Sequence, residues 1–299
     1  MAVIADSTSL TKLCDRLNKS SYITVDTEFM RDQTYWPRLC LVQIADENEA
    51  AAIDTLAEGI DITPLLNLLI NPKVLKIFHA ARQDLEIFYK LMGKLPSPIF
   101  DTQVAAMVCG FGDSAGYDTL VRKLTDETID KSSRFTDWAL RPLSHRQIKY
   151  ALGDVTHLRQ VYIKLNEMLD QNNRHNWMDE ELSILRDTKN YTFEPEDAWR
   201  RIKYRAPKPR FLAILKEVAA WREIEAQNRD IPRNRIVRDE SLIEISHHAP
   251  KTINDLSRAR GLSLKKAEGS QGKALLNAVK VGLNVPIENL PEIKRDAPL

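Results

Sequence analysis

The 299-residue sequence contains only three cysteines, Cys14, Cys40 and Cys109, and they are far apart. An odd number of scattered cysteines argues against a disulfide framework and against a CxxC zinc site. No apolar run approaches the roughly 18 residues of a membrane helix. The N-terminus also lacks the basic region and long apolar stretch of a signal peptide. We therefore expect a soluble cytoplasmic protein that does not act at a membrane.

The sequence has almost no net charge, only +1 at pH 7, but its charge is unevenly distributed. Residues 200–238 contain 12 Lys and Arg against 4 Asp and Glu. Such an asymmetry is typical of a segment that binds a polyanion. A solvated linker followed by an exposed helix face is the alternative explanation.

Strand-like and helix-like runs alternate through the first half of the chain, which predicts an α/β domain with a mixed sheet flanked by helices. Ser144 is a plausible N-cap for the longest helix of this half. The strand-like runs are 22–29, 38–46, 50–55, 73–80 and 98–102, and the helix-like runs are 62–70, 81–93, 116–125 and 144–171.

Beyond Asn172 the strand-like runs stop, and prolines 195, 207 and 209 mark a linker before an entirely helical region. The predicted core of that region includes Leu212, Leu215, Val218 and Trp221. The predicted organisation is a first domain at 1–175, a connecting helix and basic proline-containing linker at 176–207, a helical domain at 208–288 and a tail at 289–299.

In the first domain, acidic residues occur within predicted strands and helices at positions where they would be partly buried. In "YITVDTEF" (22–29), Asp26 and Glu28 share one face of a strand. Asp84 begins a predicted helix, and Asp154 lies one helical turn after Tyr150. Four carboxylates in one cleft would suit Mg²⁺ or Mn²⁺ rather than zinc. Two such ions would stabilise both the attacking and the leaving oxygen of a phosphodiester displacement.

Each of these residues also has an ordinary explanation. Asp84 suits a helix start because of the helix dipole, Asp154 could be a surface acid, and Tyr150 could belong to the core. Asp101, which also ends a strand-like run, is a rival for the fourth ligand, although we favour a structural role for it. His79 and His157 lie near the acids, and we interpret them as packed or supporting histidines because oxygen ligands prevail for Mg²⁺.

Three segments, "VDTEF", "FHAARQDLEIF" and "YALGDVTHL", resemble the three exonuclease motifs of the DEDD superfamily. Tyr150, four residues before Asp154, matches the tyrosine subtype of that superfamily. The longer stretch "FTDWALRPLSHRQIKYALGDVTHL" resembles the ribonuclease D family, and the helical region resembles the C-terminal HRDC domain found in that family. The resemblance implies a ribonuclease H-like α/β domain followed by an all-α HRDC domain.

The same resemblance implies an activity and a site. Asp26, Glu28, Asp84 and Asp154 would coordinate two divalent cations, Mg²⁺ or Mn²⁺, and Tyr150 would hold the attacking water. The implied enzyme is a 3′-5′ exoribonuclease that releases 5′-mononucleotides, notably from tRNA precursors.

An RNA with a single-stranded 3′ end must reach these acids, with its bases stacked on side chains near them. The predicted substrate contacts in the first domain are Phe29, Met30, Gln43, His79 and Arg141. Tyr35 and Trp36 would either stack on bases or pack at the strand end. The predicted RNA-binding basic surface comprises Arg200, Arg201, Lys203, Arg205, Lys208 and Arg210.

Two other functions remain open at this point. The first is a single-stranded DNA exonuclease with the same chemistry, because no motif reports recognition of the 2′-OH. The second is a non-catalytic RNA-binding adaptor, against which the complete set of acids argues. ATP binding is rejected, because "GSQGKA" (269–274) has Ala267 and Ala274 where a phosphate loop needs Gly and Ser or Thr.

Overall fold

The computed structural model describes residues 2–130, 133–205 and 208–291. The chain divides into two compact units: Met1–Met30 with Pro37–Thr192, and Arg31–Trp36 with Phe193–Leu299. The first unit extends past the predicted boundary at 175 because Met178 and Leu182 of the following helix are buried in its core. No helix in these ranges has both the length and the apolar character needed to cross a bilayer.

The first unit is built on a six-stranded sheet with the strand order β1-β4-β3-β2-β5-β6. Strand β2 pairs antiparallel with β3 and parallel with β5, so the predicted mixed sheet is confirmed. The first strand has only three residues, too few for a recognisable alternating pattern. The strands are β1 (Ala2–Ile4), β2 (Tyr22–Met30), β3 (Arg38–Ala45), β4 (Ala50–Asp54), β5 (Leu75–Phe78) and β6 (Ile99–Asp101).

Seven α-helices accompany this sheet in the described part of the first unit. The predicted start of the longest one is confirmed, since Ser144 and Gln147 form a reciprocal capping box. The helices are α1 (Ser7–Leu17), α2 (Thr63–Leu69), α3 (Arg82–Met92), α4 (Thr102–Val108), α5 (Tyr117–Thr125), α6 (His145–Asn172) and α7 (His175–Arg186).

Alternation along β2 separates the two faces of the sheet. Ile23 and Val25 are buried in the core formed with α1, α2 and α3. On the opposite face, the Thr24 hydroxyl donates a hydrogen bond to the Val155 carbonyl of α6 at 2.8 Å. Asp26 and Glu28 lie on the same side of the strand as Thr24. Helix α6 therefore runs across the face that carries the two acids.

The second unit is helical in its described part, as the sequence predicted, and its core contains Leu212, Leu215 and Val218, with Trp221 packed against it. Tyr35 is 3% exposed and bonds Glu223 and Arg233 inside this unit, so it packs rather than offering a free ring. The helices are α8 (Pro209–Arg229), α9 (Arg233–Ile236), α10 (Asp239–His248), α11 (Ile253–Leu256), α12 (Leu264–Glu268) and α13 (Ser270–Asn284).

Candidate active site

Three of the predicted acids converge in the first unit. Carboxylate oxygens of Asp26, Glu28 and Asp154 all lie within 4.8 Å of one another. Two of the acids come from one face of β2, and the third comes from α6, which the Thr24–Val155 hydrogen bond holds against that face. The geometry therefore follows from strand alternation together with the packing of α6 on this face of the sheet.

A β-bulge lies beside Glu28. Glu28 pairs with Leu41 and Phe29 with Leu39, which leaves Cys40 of β3 as an extra residue. Arg141 donates to the Cys40 carbonyl at 2.8 Å and forms two 2.7 Å bonds to the Asp54 carboxylate. Bulges bend a strand and re-aim its side chains, often next to active sites. Arg141 thus braces the irregular part of the sheet next to Glu28.

The fourth predicted acid, Asp84, lies beside this group rather than inside it. It is 8% exposed in the first turn of α3 and accepts a hydrogen bond from the Thr27 hydroxyl. Burial, followed by the negative charge of Asp26, raises the pKa of Asp84 well above its usual value. The influence of Asp26 shows that Asp84 belongs to the same electrostatic cluster, although Thr27 holds one of its oxygens.

The three converging carboxylates destabilise each other's charged forms. Burial raises the pKa of Asp26 to about 6. Burial and the charge of Asp26 raise the pKa of Asp154 to about 8 and that of Glu28 to about 10. Crowded acids of this kind ionise fully when cations lie between them, and an oxygen-only donor set is the kind that hard divalent cations prefer. The residues present therefore fit a divalent metal site.

Tyr150 lies one turn before Asp154 on α6, and its phenol is close enough to the Asp154 carboxylate for each group to shift the pKa of the other. Burial and the surrounding carboxylates, Asp154 foremost, raise the pKa of the phenol far above its usual value. The hydroxyl therefore keeps its proton at neutral pH and acts as a donor. Its ring centroid is 6.1 Å from that of Trp138, which is buried at 2% exposure and anchors the segment before α6.

A cavity of about 340 Å³ opens onto the acids. His79 and Tyr117, whose ring centroids are 5.2 Å apart, line the same cavity. The Tyr117 hydroxyl donates to the backbone carbonyl of Asp154, so it fixes α6 at the acid itself. Arg134 also lines the cavity. Sequence reasoning missed Tyr117 and Arg134, because "GYDTLVRKLT" has only the pattern of an ordinary helix and Arg134 lies in a polar loop.

Of the five predicted substrate contacts, His79 alone is among the described residues that line this cavity. Gln43 is fully buried, and its amide has no hydrogen-bond partner among the described residues. The Arg141 guanidinium is committed to Asp54 and to backbone carbonyls. Phe29 packs against the core around α1–α3, and Met30 packs against the cluster around Trp138.

Asp101 and His157, which lie near the acids in the sequence, form contacts that stabilise the fold around the site. Asp101 accepts hydrogen bonds from the backbone N–H groups of Ala80 at 3.1 Å and Ala81 at 2.8 Å, just before α3. Ala80 has a φ of 55°, a left-handed conformation that these bonds stabilise. His157 pairs with Glu127 at 2.5 Å. Both residues thus support the site's framework.

The predicted basic surface in the second unit contains residues in different environments. Lys203, Arg205 and Lys208 are exposed. Arg200 is exposed but pairs with Asp197 at 2.7 Å, and the Arg201 guanidinium lies 4.9 Å from the Phe193 ring centroid. The Arg210 guanidinium donates to three carbonyls at the C-terminal end of α13, those of Gly282, Leu283 and Val285.

Comparison with known proteins gives consistent matches over both units. Residues 1–170 match a family model described as 3′-5′ exonuclease, and residues 211–279 match the HRDC domain. The chain is similar to the curated ribonuclease D of Sphingobium indicum, with 50% identity over 291 residues that cover 97% of this chain and 75% of the relative. The ribonuclease D of Bartonella henselae is 46% identical over 299 residues, which cover 100% of this chain and 74% of that one.

Solved structures show the same similarity. The Escherichia coli RNase D crystal structure, described as that of an exoribonuclease involved in structured RNA processing, matches with a TM-score of 0.87 and 35% identity, covering 97% of this chain and 77% of that one. The catalytic core of RRP6 from Trypanosoma brucei matches with a TM-score of 0.70 and 21% identity, covering 94% of this chain and 79% of that one. The second match shows a shared fold.

Proposed function

Because this chain belongs to the ribonuclease D family of 3′-5′ exoribonucleases, we propose that it removes 5′-mononucleotides one at a time from RNA 3′ ends at the acid cluster of its first unit. The observation that carries this proposal is the convergence of the Asp26, Glu28 and Asp154 carboxylates within 4.8 Å. Three carboxylates at this distance, with Asp154 buried and the other two partly buried, oppose folding unless positive charge offsets them, so their gathering points to a function that needs cations.

In this proposal, Asp26, Glu28 and Asp154 would coordinate two divalent ions, Mg²⁺ or Mn²⁺, and Asp84 would complete the set of ligands. When bound, the ions supply positive charge that favours both ionisation of the attacking water and departure of the 3′ oxygen. The Thr27 hydroxyl fixes the orientation of Asp84 by donating to its carboxylate. Arg141 supports Glu28 indirectly through the bulge at Cys40.

Tyr150 orients the attacking water. Its raised pKa means that the phenol is protonated at neutral pH, so it does not remove the water's proton, and its oxygen accepts a hydrogen bond from the water while its own proton faces Asp154. The proton passes to a carboxylate of the cluster or to solvent. Because Tyr150 and Asp154 share one face of α6, the water and the acid are held by the same rigid element.

The substrate in this proposal is an RNA with a single-stranded 3′ end, with tRNA precursors as the expected class. Tyr117 and His79 line the cavity together with Asp26 and Asp154, and a cavity of about 340 Å³ suits the end of one strand better than a duplex. In the second unit, the exposed cations Lys203, Arg205 and Lys208 would bind phosphates of the RNA backbone. The cytoplasmic location expected from the sequence stays a prediction.

The test uses 5′-labelled RNA and DNA oligomers of identical sequence, incubated with Mg²⁺, with Mn²⁺ or with EDTA. We expect a ladder that shortens from the 3′ end of the RNA and that is absent in EDTA. The Asp154→Asn variant should give no ladder, whereas the exposed control Asp113→Asn should behave as the wild type. Equal shortening of DNA would favour the DNA exonuclease, and RNA binding without any shortening would favour the adaptor.

A further inference from the structure

The segment between α5 and α6 places an exposed arginine at the cavity, with an exposed phenylalanine next to it in the chain. Arg134 is exposed and lines the cavity, and its guanidinium lies 5.3 Å from the ring centroid of Phe135. The Phe135 side chain is 91% exposed. Neither side chain is needed for packing, so the fold itself does not account for their positions.

The base of this segment is firmly attached, although its tip is exposed. Trp138 is buried at 2% exposure, and Thr136 accepts a hydrogen bond from the Gln147 amide of α6 at 3.2 Å. Arg141 binds Asp54 through two 2.7 Å bonds. Arg134, which lines the cavity, and the adjacent Phe135 therefore stand on a fixed support, as a binding element requires.

Arg134 is the single Lys or Arg among the described residues that line the cavity. Its positive charge lowers the pKa of both Glu28 and Asp154, against the larger effect of burial. No ion pair joins it to a carboxylate within the described ranges. The guanidinium is thus close enough to act on the acids but remains available to a ligand.

The charge balance of the reaction calls for such a cation. A phosphodiester brings one negative charge into a cavity that already contains several carboxylates, and negative charge grows on the departing 3′ oxygen. A guanidinium presents a planar set of donors that matches phosphate oxygens. An exposed aromatic ring next to it offers a surface for a nucleobase, which stacks without regard to sequence.

We propose that Arg134 and Phe135 clamp the last nucleotide of the RNA, with Arg134 binding the phosphate of the linkage to be cut and Phe135 stacking on the 3′-terminal base. This inference rests on the proposed function and names two groups that hold its substrate. It assigns a phosphate contact and a nucleobase contact to a loop that sequence reasoning left without a role.

The phosphate contact is tested with Arg134→Ala and Arg134→Lys, on RNAs whose terminal linkage is either a phosphodiester or an uncharged methylphosphonate. On the phosphodiester, Arg134→Ala should lower kcat/KM about 100-fold, and Arg134→Lys should restore at least a tenth of the wild-type value. On the methylphosphonate, Arg134→Ala should lie within about threefold of the wild type. The control is Arg146→Ala, which removes an exposed arginine of α6 that pairs with Asp130 at 3.9 Å.

An equal loss on both linkages would show that Arg134 supports the fold, and no loss on the phosphodiester would show that it does not touch the substrate. Either result overturns the phosphate contact.

The base contact is tested with Phe135→Ala and Phe135→Trp. Phe135→Ala should weaken RNA binding about tenfold, and Phe135→Trp should bind as the wild type does. With an RNA whose 3′-terminal nucleotide lacks its base, Phe135→Ala and wild type should bind equally. Trp177→Ala is a matched control, because Trp177 is another exposed ring, at 58%, with an arginine, Arg174, 5.1 Å from its centroid. A tenfold loss that persists on the abasic RNA would overturn the base contact.

Equilibrium binding of the same oligomers separates this inference from the proposed function. If the Arg134 variants lose affinity only for the charged linkage and the Phe135 variants only when the terminal base is present, but wild type never shortens RNA, the clamp stands and the proposed reaction fails. If wild type shortens RNA normally and the variants bind every oligomer as wild type does, the clamp fails and the proposed reaction stands.

Discussion

Removing one carboxylate from the acid cluster should stabilise the metal-free protein, although it destroys the proposed activity. Asp154 is the best position for this test because it is 8% exposed and its pKa is raised to about 8 from the ordinary 3.8, first by burial and then by Asp26. In Asp154→Asn the amide oxygen can accept a hydrogen bond from the nearby Tyr150 phenol, as a carboxylate oxygen can. The substitution therefore removes charge and keeps the shape and the main contact.

The size of the gain follows from the pKa shift. A pKa shift from 3.8 to about 8 corresponds to at most about 6 kcal/mol at 1.36 kcal/mol per unit. The titrations of the three acids are coupled, and their side chains relax apart. We therefore expect Asp154→Asn to gain about 2 kcal/mol in free energy of unfolding at pH 8. For a unit of this size, about 2 kcal/mol raises Tm by about 4–8 °C.

The pH dependence has a definite sign. A folded-state pKa that lies above the unfolded value costs nothing below pH 4, where the acid is protonated in both states. The cost grows as the pH rises from about 4 to about 8. The Tm advantage of Asp154→Asn in EDTA should therefore be largest at pH 8 and shrink steadily towards pH 5.

Thermal unfolding in EDTA, measured by circular dichroism at pH 5, 6.5 and 8, provides the assay, with the exposed Asp113→Asn as control. Added Mn²⁺ should raise the Tm of the wild type and have much less effect on Asp154→Asn. A variant that melts at or below the wild type at pH 8, or a gain that does not change with pH, would refute the electrostatic reasoning.

Three further predictions concern groups around the cluster and the second unit. Tyr150→Phe should lower kcat about 100-fold and leave the rise in Tm on adding Mn²⁺ unchanged; an unaltered kcat, measured on labelled RNA, would assign Tyr150 to packing. Arg141→Gln should lower the free energy of unfolding by about 3 kcal/mol in urea titrations, because Asp54 is then left as an unpaired, mostly buried charge. A loss below about 1 kcal/mol would show that the Arg141–Asp54 ion pair does not stabilise the sheet. Lys203→Ala combined with Arg205→Ala should weaken RNA binding and reduce the slope of log affinity against log salt by about 2; an unchanged slope would show that both lysine and arginine only face solvent.

Local patterns in the sequence were sufficient to predict the elements that carry the acids. Alternation along β2 placed Asp26 and Glu28 on one face, and the Ser144 cap fixed where α6 begins. The four-residue spacing of Tyr150 and Asp154 then required a shared helix face. These features depend on residues close together in the chain, so the sequence alone reveals them.

Other features depend on which side chains meet across the sheet, and no local pattern reports that. Arg141 looked like a phosphate ligand, but it binds Asp54, 87 residues away. Gln43 is polar, yet it faces Asp26 across the strand pair and is fully buried. The bond from Thr27 that holds Asp84 beside the acid group likewise spans 57 residues.

A crystal of the wild-type protein soaked in Mn²⁺ tests the central claim most directly. Anomalous density should appear between the carboxylates of Asp26, Glu28 and Asp154, at coordination distances of roughly 2.0–2.4 Å, and a soaked crystal of Asp154→Asn should show weaker density there. Side chains that point away from one another, with no anomalous peak beside β2, would contradict the account.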